Sequence, residues 1–265
     1  ITTGASNTIV GADAGKSMTT TTGNVMVGVG AGSYALGSSA TYVGWQAGYY
    51  AGNSEHCVAI GRNAMLGAAG VTNATCDYNN DPTITHDADA NIAAGQYVTG
   101  TGIPEGAVIS SITDSTHFEL SAATTGGAVT NGTLTFYKTT GNQNVAIGNY
   151  SLDAVTSGAN NIGVGYNAGT AIIGGASNVI IGTGAGLLLT DNNFNIAIGH
   201  SALAGANAGE HNNIAIGLNT LYTETTGADG CVAIGGSALM DQNVASANNT
   251  AVGYAALWKN TAADN

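Results

Sequence analysis

The stretch Asn144-Val145-Ala146-Ile147-Gly148 returns almost unchanged as Asn195-Ile196-Ala197-Ile198-Gly199, and the reading of these five residues decides the fold. A Val or Ile followed directly by Gly stands in register at Gly11, Gly28, Gly44, Gly61, Gly148, Gly165, Gly182, Gly199, Gly217, Gly235 and Gly253, and apart from one long gap the steps are 16 to 18 residues. Self-similarity at one short period marks stacked units that each touch only their neighbours. A globular enzyme domain assembled from unlike segments has no such column. The expected fold is therefore all-β, a parallel β-solenoid with ~17-residue coils.

Aligned on that Gly, the unit reads N-[VIT]-x-[VI]-G-x-x-A-[GL]. The alternation marks a strand. The residue before Gly and the one two places earlier share one face, which the pattern assigns to the coil interior. The small residues between them, Ala59, Ala146, Gly163, Ala197, Ala215, Ala233 and Ala251, then form an outward stripe that admits another chain closely. The Gly supplies a corner where positive φ or close backbone approach excludes a Cβ. Three residues on, Ala14, Ala31, Ala47, Ala64, Ala168, Ala185, Ala202, Ala238 and Ala256 imply a second tight position, followed by a shorter second strand. The Asn four places before Gly, at Asn7, Asn24, Asn144, Asn161, Asn178, Asn195, Asn213 and Asn249, can build an amide ladder from coil to coil. Eleven coils at one strand spacing each give a rod of about 50 Å. So narrow a coil buries little by itself, so homotrimerisation or another lateral association is expected.

Composition agrees. Forty-one Gly and 44% hydrophobic residues stand beside only 8% charged residues, too apolar for a disordered chain. Like charges repeated on every coil would repel at strand spacing, which explains their scarcity. The net charge of −12 argues against nucleic acid as a partner, since phosphate binding needs clustered Lys and Arg. No apolar run reaches the ~20 residues of a membrane helix, so no membrane insertion is expected. The chain starts at Ile1 and stops at Asn265 in mid-repeat, as if cut from something longer. Cys57 and Cys231 fall in the Asn column and, with Cys76, read as small buried thiols.

The long gap, Gly61 to Gly148, holds a module of different character, dividing the chain into coils over 1–70, an inserted small antiparallel β domain over 71–140, and coils over 141–265. Tyr97-Val98-Thr99, Val108 to Ile112, Phe118-Glu119-Leu120 and Thr133 to Tyr137 read as its strands, projecting laterally from the rod. Asp77, Asp81, Asp87, Asp89, Glu105, Asp114 and Glu119 concentrate there without a base between them. Asp87-Ala88-Asp89-Ala90-Asn91 imitates the first half of a calcium loop, although Ile92 stands where the turn Gly belongs and Val98 where the bidentate Glu belongs. Calcium is the one cofactor this insert suggests, against the plainer reading of a solvated acidic loop.

Other motifs dissolve into the period. Gly11 to Ser17 is one residue short of a phosphate loop, and Gly182-Thr183-Gly184-Ala185-Gly186 is periodic rather than a dinucleotide fingerprint. His56, His86, His117, His200 and His211 lack close metal spacing, although stacking can bring His200 and His211 onto neighbouring coils. Acyltransferase hexapeptide phasing and a regular Thr-x-Thr ice-binding array are missing. With no nucleophile and base at recognisable spacing, the chain does not read as an enzyme. The variable position just after Gly is instead often bulky, and Trp45, Arg62, Tyr166, His200 and Tyr254 there are the candidate contacts to a glycan or receptor.

The N-V-A-I-G-x-x-A repeat resembles the head domain of trimeric autotransporter adhesins, which implies a left-handed β-roll with three chains side by side. It is also similar to repeat-containing fibre proteins of tailed phages, of which Asn249-Thr250-Ala251-Val252-Gly253-Tyr254-Ala255-Ala256-Leu257 is a typical phrase; the insert, from Gly100 to Ile112 and on to Leu134-Thr135-Phe136, looks like a small β domain of phage structural proteins. The resemblance implies a virion tail or head fibre, a rigid homotrimeric spacer or receptor-contacting surface partnered by other virion proteins and a host-surface glycan. The alternatives are a bacterial cell-surface adhesin head and a self-assembling extracellular filament.

Overall fold

The structure, a computed structural model, describes residues 4–67, 70–104, 107–137, 141–205, 210–224, 229–242 and 248–260, among which there is no helix. Four three-residue strands come first: β1 (Thr8–Val10), β2 (Val25–Val27), β3 (Thr41–Val43) and β4 (Val58–Ile60). The insert supplies β5 (Val71–Asn79), β6 (Thr83–Thr85), β7 (Tyr97–Gly100), β8 (Ile109–Asp114), β9 (His117–Leu120) and β10 (Ala128–Tyr137). The coils resume with β11 (Val145–Ile147), β12 (Ile162–Val164), β13 (Val179–Ile181), β14 (Ile196–Ile198) and β15 (Ile214–Ile216). The last segment alternates β16 (Thr223–Glu224), β17 (Val232–Ile234), β18 (Asp241–Gln242), β19 (Thr250–Val252) and β20 (Lys259–Asn260).

The eleven Gly-terminated strands form one parallel sheet in the order β1-β2-β3-β4-β11-β12-β13-β14-β15-β17-β19. Each pairs with the next without offset, so Ala197 lies beside Ala215 and Ala215 beside Ala233. The chain is a parallel β-solenoid. Among the described residues its opposite side is mostly a run of turns rather than the shorter second strand expected; there β16, β18 and β20 pair as a sheet, with one bridge between Ala35 and Gly52.

The facing of the ladder strands is the reverse of the sequence expectation. Ala59, Ala146, Ala197, Ala215 and Ala233 are fully buried, whereas Ile60, Ile147, Ile181 and Ile234 are each nearly two-fifths exposed. The small residue points into the coil and the branched pair points out. The reason is width: buried Ala31, Ala47, Ala64, Ala168, Ala185, Ala202 and Ala238 line the opposite wall, and most coils hold one large side chain between the walls. Two positions share that duty. Where the strand centre is Met26, Tyr42 or Ile180, the residue six places on is Gly32, Gly48 or Gly186, and a Cβ there would run into that same side chain. Where the centre is Ala59, Ala146, Ala197, Ala215 or Ala233, the sixth residue is Met65, Leu152, Leu203, Leu221 or Leu239, all fully buried. In the coil with both Gly163 and Gly169, the space is taken by Leu152, Ile172 and Ile180.

Two columns hold neighbouring coils together. The corner glycines have φ between +123° and +139°, a region closed to L side chains, and from Gly11 to Gly235 each would press a Cβ into the corner backbone of the next coil. The expected amide ladder is present and buried: Oδ1 of Asn144 accepts from the Asn161 N–H at 2.9 Å, Asn161 from Asn178 at 3.0 Å, Asn178 from Asn195 at 2.9 Å and Asn195 from Asn213 at 3.0 Å. The amide nitrogens donate onward, as from Asn161 to the Gly175 carbonyl at 2.7 Å. Cys57 substitutes in this column, its thiol directed at the Gly141 carbonyl at 3.6 Å, and burial pushes that thiol's pKa up. Cys57, Cys76 and Cys231 are buried thiols that form no disulfide among the described residues, as expected.

The insert is a separate six-stranded antiparallel sheet, ordered β7-β10-β5-β6-β9-β8. Long β5 and short β6 escaped the sequence reading. Its core gathers Cys76, Ile84, Val98, Ile109, Phe118, Leu134 and Phe136, with the Phe118 and Phe136 rings edge to face at 5.6 Å. Its first and last strands pair with each other from Val71 opposite Phe136, so chain entry and exit lie side by side. Consequently β4 pairs directly with β11, Val58 beside Val145 and Ile60 beside Ile147. Where it leaves the rod the insert is held by tyrosines: Tyr137 stacks on Tyr34 at 5.4 Å, on Tyr50 at 5.7 Å and on its own module's Tyr97 at 5.8 Å.

Two substitutions separate these effects. Gly253, unlike Gly182, has no atom within 4 Å of its would-be Cβ, although its φ is similarly positive. Gly253→Ala is expected to cost about 1–3 kcal/mol through φ alone, and Gly182→Ala about 4 kcal/mol or more through φ and collision together, read by thermal denaturation. Tyr42→Ala is expected to cost about 3–5 kcal/mol. Adding Gly48→Leu converts that coil to the Ala/Leu type, whose leucines already accept φ of +47° to +52°, and is expected to recover at least half of the loss.

Candidate functional site

Stacking converts the position after each corner Gly into a line of side chains along one edge of the ladder. In that line the guanidinium carbon of Arg62 lies over the Trp45 ring, 4.9 Å from its centroid, and 5.8 Å from the Tyr150 centroid. Tyr150 meets Tyr166 edge to face, with centroids 6.3 Å apart and planes at 85°. Four successive coils thus contribute an unbroken series of Trp45, Arg62, Tyr150 and Tyr166. Trp45 and Tyr166 remain about half exposed, Arg62 is exposed and Tyr150 is half-buried.

Tyr150 was not among the residues picked from the sequence, because it stands second after Gly148 rather than first. Asn149 occupies the first position, and its Oδ1 accepts the backbone N–H of Arg62 at 3.2 Å, clamping the two coils. At Tyr150 the backbone turns through φ +57°, like Asn167 and Ser201 at the same place in their coils. The signal was available: splicing out the insert sets coil Gly148 directly on coil Gly61, and Tyr150 then falls beside Arg62.

The electrostatics of this line are simple. Attraction between the guanidinium and a ring quadrupole contributes about 0.5–1 kcal/mol at an exposed site. Among the described residues no carboxylate forms an ion pair with Arg62; the pairs present there are Lys16 with Asp13 at 3.7 Å and His117 with Asp114 at 2.9 Å. The guanidinium lies within cation–π reach of both rings, and its N–H groups have no acceptor among the described residues.

The other candidates fall elsewhere. His200 is exposed, two coils beyond Tyr166 with Thr183 between. Tyr254 is 86% exposed near the far end, where it borders a hollow of about 270 Å³ with Trp258, Met240 and Asn219. The structure therefore unites Trp45, Arg62 and Tyr166 and separates His200 and Tyr254 from them. His200 and His211 stand in different columns; His211 Nδ1 accepts the Asn193 N–H at 2.9 Å.

In the suggested calcium loop, Asp89 Oδ1 is committed to its own turn, accepting from Asn91 N at 2.9 Å and Nδ2 at 3.0 Å. These hydrogen bonds, the backbone one foremost, lower the pKa of the Asp89 carboxyl. Among the described residues no three His, Cys, Asp or Glu side chains gather as a metal ligand set; Glu105 lies outside those residues. In the phosphate-loop look-alike, the space beside Gly15 is filled by Met18, Ile9 and Met26, so this Gly faces the core.

The chain matches no family model, no curated protein and no solved structure. The cation–ring contact is open to measurement: in a double-mutant cycle between Arg62→Ala and Trp45→Ala, the coupling energy is expected at about 0.5–1 kcal/mol, whereas Lys259→Ala paired with Trp45→Ala gives none.

Proposed function

We propose that the chain is a rigid structural fibre segment of a phage virion, a homotrimeric β-solenoid that serves as spacer and as receptor-contacting surface, with other virion proteins as its neighbours and a host-surface glycan as its target. The observation that carries this reading is the outward-facing aliphatic wall of the ladder. Val10, Val25, Ile60, Ile147, Ile162, Ile181, Ile234 and Val252 are each more than a third exposed, along the eleven-stranded sheet. Continuous apolar surface of this kind favours burial against another chain. Three copies around one axis close such an assembly, leaving each Gly-corner edge and each insert at the periphery.

The reading assigns no catalysis. Its mechanism is passive: repeated weak contacts displayed on a stiff trimeric rod gain avidity without tight individual sites. Trp45, Arg62, Tyr150 and Tyr166 are the side chains we assign to the glycan, since ring faces stack on sugar rings. No helix among the described residues is long and apolar enough to cross a membrane.

Light scattering with electron microscopy of the same sample tests this. The expected result is a discrete trimeric rod, dissociated to folded monomers by Ile147→Asp with Ile181→Asp on the outer wall. A wild-type monomer removes the association argument, and long polymers favour a filament subunit instead.

A further inference from the structure

The edge line contains the only arginine in 265 residues, and its guanidinium lies within cation–π reach of two rings. The chain has four Lys and Arg against sixteen Asp and Glu. A cation in so acidic a molecule would ordinarily be drawn to a neighbouring carboxylate. Arg62 is not; its charge lies beside Trp45 and Tyr150, and among the described residues its N–H edge is left without an acceptor.

This geometry has a chemical meaning. A guanidinium within cation–π reach of two rings has less freedom to swing, and its rigid fork matches the two oxygens of a planar carboxylate. Beside that fork, the half-exposed Trp45 and Tyr166 offer flat apolar surface. We infer that the Trp45–Arg62–Tyr150–Tyr166 line is a binding site for a carboxylated saccharide, with Arg62 taking the carboxylate and the flanking rings taking the faces of the sugar. This rests on the sugar-contact reading above and gives it a substrate class.

Charge narrows the class further. A densely charged polyanion, phosphate- or sulfate-rich, is repelled by a net charge of −12 and finds one cation where it needs many. A glycan that carries at most one carboxylate per sugar ring can place one of them on the single Arg62 while its hydroxyls and ring faces contact uncharged surface. The sugar is thereby matched to one charge, one fork and several rings.

The test uses the whole chain in its assembled state and two pairs of probes: a galacturonic acid oligomer against the same oligomer as its methyl ester, and sialyllactose against lactose. Binding is followed by calorimetry and by Trp fluorescence. The expected result is that at least one acidic probe binds, that its neutral counterpart binds about tenfold more weakly or worse, and that Arg62→Gln removes the difference while Arg62→Lys retains part of it. Equal binding of acid and neutral forms to the wild type overturns the carboxylate site and leaves the sugar-contact reading standing. Failure of all four probes to bind overturns both. Undiminished acid preference in Arg62→Gln, with the assembly shown intact, also overturns the assignment. The ester and lactose comparisons use only wild-type protein, so a misfolded variant does not stall the test.

Discussion

A coil that advances by one strand spacing per turn leaves no room for a Cβ at its corner. The carbonyl of each corner Gly sits where the side chain of the corner below would be, from Gly11 onward. A bare corner lets the coils close to the pitch that backbone pairing of parallel strands requires. With the pitch fixed, the strand centres fall into register, the Asn side chains reach the next coil's N–H, and the residues after the corners come within ring-stacking distance. Hydrogen bonds and aromatic contacts then follow from a steric rule, because every coil repeats the same approach.

The same rule makes the interior thin, and thinness governs what faces where. Two layers of Ala leave room for little more than one Leu, Met, Ile or Tyr between them, so bulk lost at the strand centre must be regained elsewhere in the coil. Branched Val and Ile cannot occupy both flanking positions inside. They are displaced to the outer surface, where in water they are a liability unless covered. The solenoid therefore generates its own apolar wall, and the lateral association proposed above would follow from packing each coil tightly.

Much of this was legible in the sequence. The corner glycines fixed the repeat and the parallel ladder, and the Asn column announced its hydrogen bonds because amides at one position in stacked units have few other partners. The facing of the strand was misread because Val-Ala-Ile alternates with no strongly polar residue to mark the outside. The deciding sign lay six residues away, in the exchange of Tyr42 with Gly48 for Ala146 with Leu152. The edge line was legible for Trp45, Arg62 and Tyr166, each directly after its Gly; Tyr150 was hidden by the intervening insert and by a one-residue shift within the turn. Strands β5 and β6 were missed because Asn, Thr and Asp dominate them and only alternate residues such as Cys76 and Tyr78 are buried. Likewise, the hold of the insert on the rod depends on tyrosines far apart in sequence, which no local pattern links.

The pairing of Val71 with Phe136 has a meaning for how such rods change over time. A module whose two ends emerge side by side closes almost no loop when it is spliced between consecutive coils, and β4 meets β11 as though nothing intervened. The junction behaves as a socket. Modules with adjacent ends can be exchanged there as cassettes, altering what the rod displays while the ladder that carries it keeps its pitch, length and register.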